Sequence, residues 1–217
     1  MAIFRNFIFD WSGTLVDDLP PVVHATNAVL AHCGRPTLTR GDFLREFELP
    51  FQRFYDRLLP GMPLAELEPV FHAAFAQSGV AAAPLPHAGA FLHHCRQAGH
   101  RCFVLSAAHP AHLLAQSDAF GFTPFFEEIY AGVRDKSERI HHLLETHALD
   151  PAETAFIGDM THDIETALHG GVTAVAVLTG YQDEARLRSA SPHHVFADLA
   201  EFASFLGVPS SGWQTDF

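Results

Sequence analysis

Phe7, Ile8 and Phe9 form a short apolar run that stops at Asp10, and Gly13 and Thr14 follow at once. Such a run reads as a buried strand that ends in a carboxylate above a tight turn. One strand cannot bury both of its faces alone, and residues 18 to 80 carry no strand signal. The strand must therefore find its partners beyond residue 80, across a long helical insertion. A carboxylate at the end of such a strand can cap the turn. It can also act as a nucleophile that takes up a phosphoryl group, with a metal ion to offset the repulsion between two anions.

The insertion reads as four helices. Leu19-Pro20-Pro21 suits a first helical turn, which the preceding Asp18 can cap, and Val22, Thr26, Val29, Leu30 and Cys33 recur at helical spacing until Gly34. Thr39 opens a second helix with Phe43, Leu44 and Phe47, ended by Pro50. Phe51, Phe54, Tyr55, Leu58 and Leu59 share one face of a third, and Leu64, Leu67, Val70, Phe71, Ala74 and Phe75 define a fourth that runs to Gly79.

From Pro84 the pattern changes. A helix with Phe91, Leu92 and Cys95 ends at Gly99, and Arg101 to Leu105 reads as a strand. Further helices are expected at about 110–120, 137–147, 161–169 and 198–206, with strands near 126–130, 154–157 and 172–178. This alternation argues for right-handed crossovers and a parallel sheet. The expected fold is α/β, a Rossmannoid parallel-sheet core formed by residues 1–17 and 81–217, with an all-helical cap, residues 18–80, inserted after the first strand. The placement of the tail, with Trp213 and Phe217, is left open.

Composition narrows the partners. A formal net charge of -12 disfavours nucleic acid and anionic membrane, and no apolar run reaches a signal peptide or a membrane span, so a soluble cytoplasmic protein is expected. Cys33, Cys95 and Cys102 lie in apolar segments without C-x-x-C spacing and read as buried free thiols. The sixteen histidines are scattered. In the adjacent pairs His93-His94, His141-His142 and His193-His194 the two rings point apart on a helix, which favours solvated faces over a metal site.

Strand ends of a parallel sheet share one edge, so polar groups placed there converge from distant parts of the chain. Asp10 and Asp159 can supply hard oxygen ligands for Mg²⁺. Ser106 can donate to a phosphoryl oxygen, helped by amide groups at a following helix start, and Lys136 can neutralise the phosphoryl group together with Asp10. Lys136 is also the only lysine beside twelve arginines, which suggests a positional demand for a compact ammonium.

These residues resemble the motifs of the haloacid dehalogenase superfamily: D-W-S-G-T-L-V is similar to its first, Ser106 to its second, Lys136 to its third and G-D-M-T-H-D to its fourth. The V-D-D after the first motif and H-D-I-E-T-A-L-H-G-G-V after the fourth are similar to phosphoglycolate phosphatase-like members, and the insertion resembles a helical cap of the first type. The resemblance implies an Mg²⁺-dependent phosphatase for a small phosphorylated metabolite, with Asp10 as nucleophile. The metal would be held by Asp10, the Ser12 carbonyl and Asp159, and Asp163 would support its waters or Lys136. Thr14, Ala107 and His109 are assigned with Ser106 to the substrate, and Arg45, Arg53 and the turn Glu48-Leu49-Pro50-Phe51 to specificity.

One position departs from the pattern. Phosphatases of this superfamily carry an acid–base Asp two residues after the nucleophile, where this chain has Ser12. General acid–base catalysis is typically worth ~10²–10⁴-fold, so alkyl phosphates should be slow substrates unless another group, with His109 as candidate, replaces it. A second reading is a phosphate-binding protein with weak catalysis. A phosphonatase is disfavoured because the cap has no lysine, a dehalogenase because the acidic metal site is kept, and a mutase because the acid–base Asp is missing.

Overall fold

The computed structural model describes residues 4–208, so the tail with Trp213 and Phe217 lies outside the described residues. The chain divides into two compact units, one formed by Met1–Asp17 and Pro84–Phe217 and the other by Asp18–Ala83.

The first unit is built on six parallel strands: β1 (Asn6–Phe9), β4 (Arg101–Leu105), β5 (Glu128–Tyr130), β6 (Thr154–Gly158), β7 (Thr173–Val177) and β8 (His194–Phe196). The two-residue strands β2 (Val16–Asp17) and β3 (Ala83–Pro84) mark where the chain leaves and rejoins this unit. The backbone N–H of Leu85 donates to the carbonyl of Leu15 at 2.9 Å, which ties the two crossings together.

Spatial order in the large sheet is β5-β4-β1-β6-β7-β8. The chain builds outward from β1 on one side, returns to the other side at β6, and builds outward again. The point of reversal falls between β1 and β6, and the crevice outside the carboxyl ends of strands at such a point is where open α/β sheets bind ligands.

Alternation along β1 sets up two apolar layers. Phe7 and Phe9 pack on Phe91, with centroids 5.7 and 5.9 Å away, and Phe91 stacks on Phe202 at 5.5 Å, which brings α5 (Ala88–Ala98) and α10 (Leu199–Phe205) onto one face. Ile8 points the other way, into a cluster with Phe103, Phe156, Ile140, Leu143 and Ile164 under α7 (Lys136–Thr146) and α8 (Thr161–His169). Every residue of β1 is buried. This explains why Phe7, Ile8 and Phe9 are consecutive apolar residues, as is usual for a strand covered on both faces, while buried Asn6 is satisfied by donating to the Thr154 hydroxyl.

The second unit holds α1 (Leu19–His32), α2 (Arg40–Glu46), α3 (Phe51–Leu58) and α4 (Leu64–Ala76). Thr39 caps α2 in a reciprocal box with Asp42, and Phe43, Phe47, Phe54 and Tyr55 pack ring on ring. Asp18 occupies the N-cap of α1 but makes no capping hydrogen bond. Its backbone, at φ -114° and ψ 8°, lacks the extended conformation that turns a cap side chain over the helix end.

Other expectations need correction. Strand β5 starts at Glu128 rather than Phe126, because Thr123–Phe125 form a 3₁₀ turn. α9 (Glu184–Ser189) and β8 carry no clear sequence signal: the helix is six residues long, and the strand is a half-buried three-residue edge. His193 and His194 therefore do not lie on a helix. His193 Nδ1 accepts from the Ala174 N–H at 2.9 Å, while His194 is part of β8 and packs on Phe196 and Phe205.

All three cysteines are free thiols, Cys95 and Cys102 buried and Cys33 half-buried. Burial, and then the neighbouring Cys102, push the Cys95 thiol well above its ordinary range, so it offers little thiolate. A thiol-specific chromophoric reagent should therefore titrate no more than one group, Cys33, in the native protein, and all three after denaturation. Rapid reaction of two or more native thiols would contradict this packing.

Candidate active site

Beyond β1 the chain turns sharply. The carbonyl of Trp11 accepts from the N–H groups of Thr14, Leu15 and Val16, and Gly13 sits at φ +76°. Glycine is needed here twice over, for its backbone angle and because a Cβ would lie 2.3 Å from Asp159 Oδ2. Trp11 anchors the turn: fully buried, it donates from Nε1 to Gln116 Oε1 at 2.7 Å and packs edge-on against Phe122 and Phe126. Asp10 is thereby presented at the carboxyl end of β1, its own N–H donating to Ile157 of β6 at 2.9 Å.

Lys136 is fully buried and is the first residue of α7, where Asp135 caps the helix, rather than a strand-end residue as expected. Its Nζ lies 2.6 Å from Asp163 Oδ1 and 2.8 Å from Asp10 Oδ1. The contact to Asp163 is a hydrogen bond. The contact to Asp10 is a close ion pair, so one ammonium is shared between two carboxylates. Asp163 is itself held from behind, because its Oδ2 accepts from the Met160 N–H at 3.0 Å at the start of α8.

Asp159, at the end of β6, is fully buried; Thr14 donates from its hydroxyl to Oδ1 at 2.9 Å and Tyr181 from its N–H to Oδ2 at 2.8 Å. The structure thus places the Thr14 hydroxyl on Asp159. One oxygen from each of Asp10, Asp159 and Asp163 lies within 4.8 Å of the others. Ser12 is half-buried beside this cluster in sequence, in a bridge with Val16.

Three carboxylates and one ammonium share this buried space, and the electrostatics follow. Burial raises the pKa of Asp10; Lys136 works against that rise and Asp163 adds to it. Burial, then the charges of Asp10 and Asp163, push Asp159 well above the carboxylate range, against the hydrogen bonds from Tyr181 and Thr14. For Lys136 burial acts downward, but Asp10 and Asp163 outweigh it and hold the ammonium above its ordinary value. Three carboxylates to one ammonium and oxygen-only donors together fit a hard divalent cation, which would relieve the repulsion that protonation otherwise relieves.

Ser106 is buried at the end of β4. Its N–H donates to Tyr130 and its carbonyl accepts from Val133. The helix expected from about residue 110 follows, after a short loop. Ser106 Oγ accepts from the Ala108 N–H at 3.2 Å, Ala107 lies half-buried in the intervening loop, and α6 (Pro110–Ala119) begins four residues on. His109 is the exposed N-cap of α6 and accepts from the Ala111 N–H through Nδ1 at 3.3 Å. Capping therefore occupies one of the two ring nitrogens that an acid–base role would use. Arg45 and Arg53 lie on α2 and α3 of the helical unit; Arg45 pairs with Asp42 on its own helix, and Glu48 pairs with Arg57.

Sequence reasoning misses Thr179, Gly180, Tyr181 and Gln182, which follow β7. Only the turn-forming glycine after a strand hints at them.

A pH dependence follows from the raised carboxylates. Asp10 and Asp159 have folded pKa values above the ordinary 3.8, so the folded state keeps protons that the unfolded chain has already released. Their stabilising contribution is complete below about 3.8 and is lost as the pH rises through the raised values. Lys136, raised in turn, stays charged in both states across pH 5–8 and does not contribute to the slope. Thermal unfolding in EDTA should therefore show a larger advantage of pH 5 over pH 8 for the wild type than for Asp159→Asn. Equal pH slopes in the two proteins would overturn this reading of the cluster.

Residues 7–177 match the haloacid dehalogenase-like hydrolase family. A phosphoglycolate phosphatase from Synechococcus elongatus is 28% identical over 192 residues, covering 87% of this chain and 90% of the relative. Another from Caulobacter vibrioides is 28% identical over 216 residues, covering 94% and 88%. Among solved structures, a haloacid dehalogenase-like hydrolase from Streptococcus pneumoniae superposes with a TM-score of 0.85 at 20% identity, covering 95% of this chain and 100% of that one. CbbY from Rhodobacter sphaeroides superposes with a TM-score of 0.78 at 18% identity, covering 92% and 96%. The motif-bearing strands and the buried Asp–Lys–Asp cluster both lie within the matched region, and the chain belongs to the haloacid dehalogenase-like hydrolase family.

Proposed function

We propose that this hydrolase is a phosphatase that removes the phosphoryl group from a small metabolite, through a phosphorylated Asp10 and with Mg²⁺ as cofactor. The observation that carries the reading is the buried contact of Lys136 with Asp10 and Asp163, at 2.8 and 2.6 Å, beside the second carboxylate Asp159. Curated relatives named phosphoglycolate phosphatase add support and make phosphoglycolate the first substrate to assay. Asp10, Asp159 and the Ser12 carbonyl would hold Mg²⁺, with Asp163 supporting from behind. Bound there, the ion would supply charge compensation for two anions brought together.

In the first step a carboxylate oxygen of Asp10 attacks phosphorus, the bond from phosphorus to the ester oxygen breaks, and the leaving alcohol takes up a proton. In the second, water attacks the phosphoryl group, gives up a proton and releases inorganic phosphate, which regenerates the carboxylate. Lys136 opposes the burial-driven rise of the Asp10 pKa, favouring the carboxylate form, and meets the incoming phosphoryl charge. Ser106 would donate a hydrogen bond from its hydroxyl to a phosphoryl oxygen while its Oγ still accepts from the Ala108 N–H. Arg45 and Arg53 are the proposed specificity residues of the helical unit, which we read as the cap. Asp10→Asn should abolish turnover of phosphoglycolate and of an aryl phosphate while leaving the unfolding transition in place. Turnover near wild type in the purified variant would remove Asp10 from the mechanism.

The serine at position 12 keeps a second reading open, a phosphate-binding protein that turns over slowly, because its hydroxyl has no useful pKa for proton transfer. The rate should then depend steeply on leaving-group pKa, and a burst of alcohol should precede slow turnover as phosphorylated Asp10 accumulates. Ser12→Asp should raise alkyl-phosphate hydrolysis at least tenfold, within the ~10²–10⁴ range for such a group, and shorten the burst. A wild-type enzyme fast on alkyl phosphates, with flat leaving-group dependence, would contradict this.

A further inference from the structure

The loop between β7 and α9 contains none of the four sequence motifs, yet it bonds to the segments that carry two of them. Thr179 Oγ1 donates to the Gly13 carbonyl at 2.6 Å, and Tyr181 donates its N–H to Asp159 Oδ2 at 2.8 Å. Gln182 accepts from the Thr161 N–H through Oε1 at 2.7 Å. The loop backbone is pressed against the carboxylate: a Cβ at Gly180 would fall 2.0 Å from Asp159 Oδ2.

Each contact answers a local deficiency. Helix α8 carries Asp163 on its first turn but has Met160 at its N-cap, a residue with no capping oxygen. Gln182 supplies that oxygen from across the sheet edge. Gln182 is buried, at 5% exposure, and its Nε2 has no hydrogen-bond partner. A leucine of similar volume would pack there without that desolvation cost, so filling space does not account for the glutamine. Thr179 does the same for the Gly13 turn, whose carbonyl would otherwise have to be satisfied elsewhere.

We propose that Thr179 and Gln182 are positioning residues: flanking Gly180-Tyr181, they lock the Gly13 turn and the start of α8 around Asp159, presetting its carboxylate for a divalent cation. Asp159 is then fixed from two sides, by Thr14 from the first strand's turn and by Tyr181 from this loop. The inference rests on the cation reading given above. Groups that orient a metal ligand from behind are typically worth 10–100-fold in affinity, and rigid support is what lets a carboxylate meet Mg²⁺ in the near-octahedral geometry it requires.

The test is calorimetric titration of Mg²⁺ into the phosphate-free protein, with no substrate present, for wild type, Thr179→Val, Thr179→Ser, Gln182→Leu and Asp159→Asn, each checked by circular dichroism. Thr179→Val and Gln182→Leu should weaken Mg²⁺ binding by about ten- to a hundredfold, and Thr179→Ser, which keeps the hydroxyl, should bind as wild type does. Wild-type affinity in both Thr179→Val and Gln182→Leu, with binding lost in Asp159→Asn, would overturn the positioning role and leave the cation reading standing. Undiminished binding in Asp159→Asn would overturn the cation reading and this inference with it. Equal losses in the Ser and Val variants would show that packing, not the hydrogen bond, is at work and would also overturn it. If Gln182→Leu does not fold, the Thr179 pair decides alone.

Discussion

The buried contact of Lys136 with Asp10 and Asp163 is the interaction on which the architecture of the candidate site depends. An ammonium with no solvent exposure is tolerated only beside opposite charge, and removing one partner of such a buried pair typically costs about 3–5 kcal/mol. Here the dependence runs in both directions, because Asp10, Asp159 and Asp163 would repel one another without the lysine. The result is a cluster held under electrostatic tension, with more negative charge than the protein alone neutralises. Such tension contributes little to stability. It suits a site that takes up a cation and an anion together.

Topology explains why the cluster forms where it does. β1 lies between β4 and β6, so Asp10 and Asp159 emerge from adjacent strands at the point where strand order reverses. The pairs Phe7↔Ala155 and Phe9↔Ile157 hold the two strands in register, so their carboxyl ends are level. α7 and α8 then cover the Ile8 face and bring Lys136 and Asp163 in from the side. Glycines at 13 and 180 clear the space for Asp159.

Much of the fold is legible in the sequence where a periodic apolar pattern coincides with a local start or stop signal. Thr39 before Phe43, Gly99 after Cys95, and the apolar run Phe7–Phe9 of β1 are examples. Legibility fails where elements are short or half-buried: α9 and β8 carry too few apolar positions to show a period. At the site, residues whose chemistry is their own signal, such as Asp10, Asp159, Asp163 and the lone Lys136, are found as a group from their spacing and meet in the structure. Residues that work through the backbone are not. Tyr181 contributes an N–H that any residue but proline could supply.

The central place of β1 in the sheet bears on how the chain is made. Its neighbours are β4 and β6, and the Asn6 side chain reaches Thr154 across a separation of 148 residues. The strand is thus made well before its partner β6, and contacts this distant in sequence form slowly. Until then Phe7, Ile8 and Phe9 form a strand without a sheet, the kind of exposed apolar edge that associates with other chains. The order of synthesis thus leaves the strand that carries Asp10 waiting on a segment made about 150 residues later.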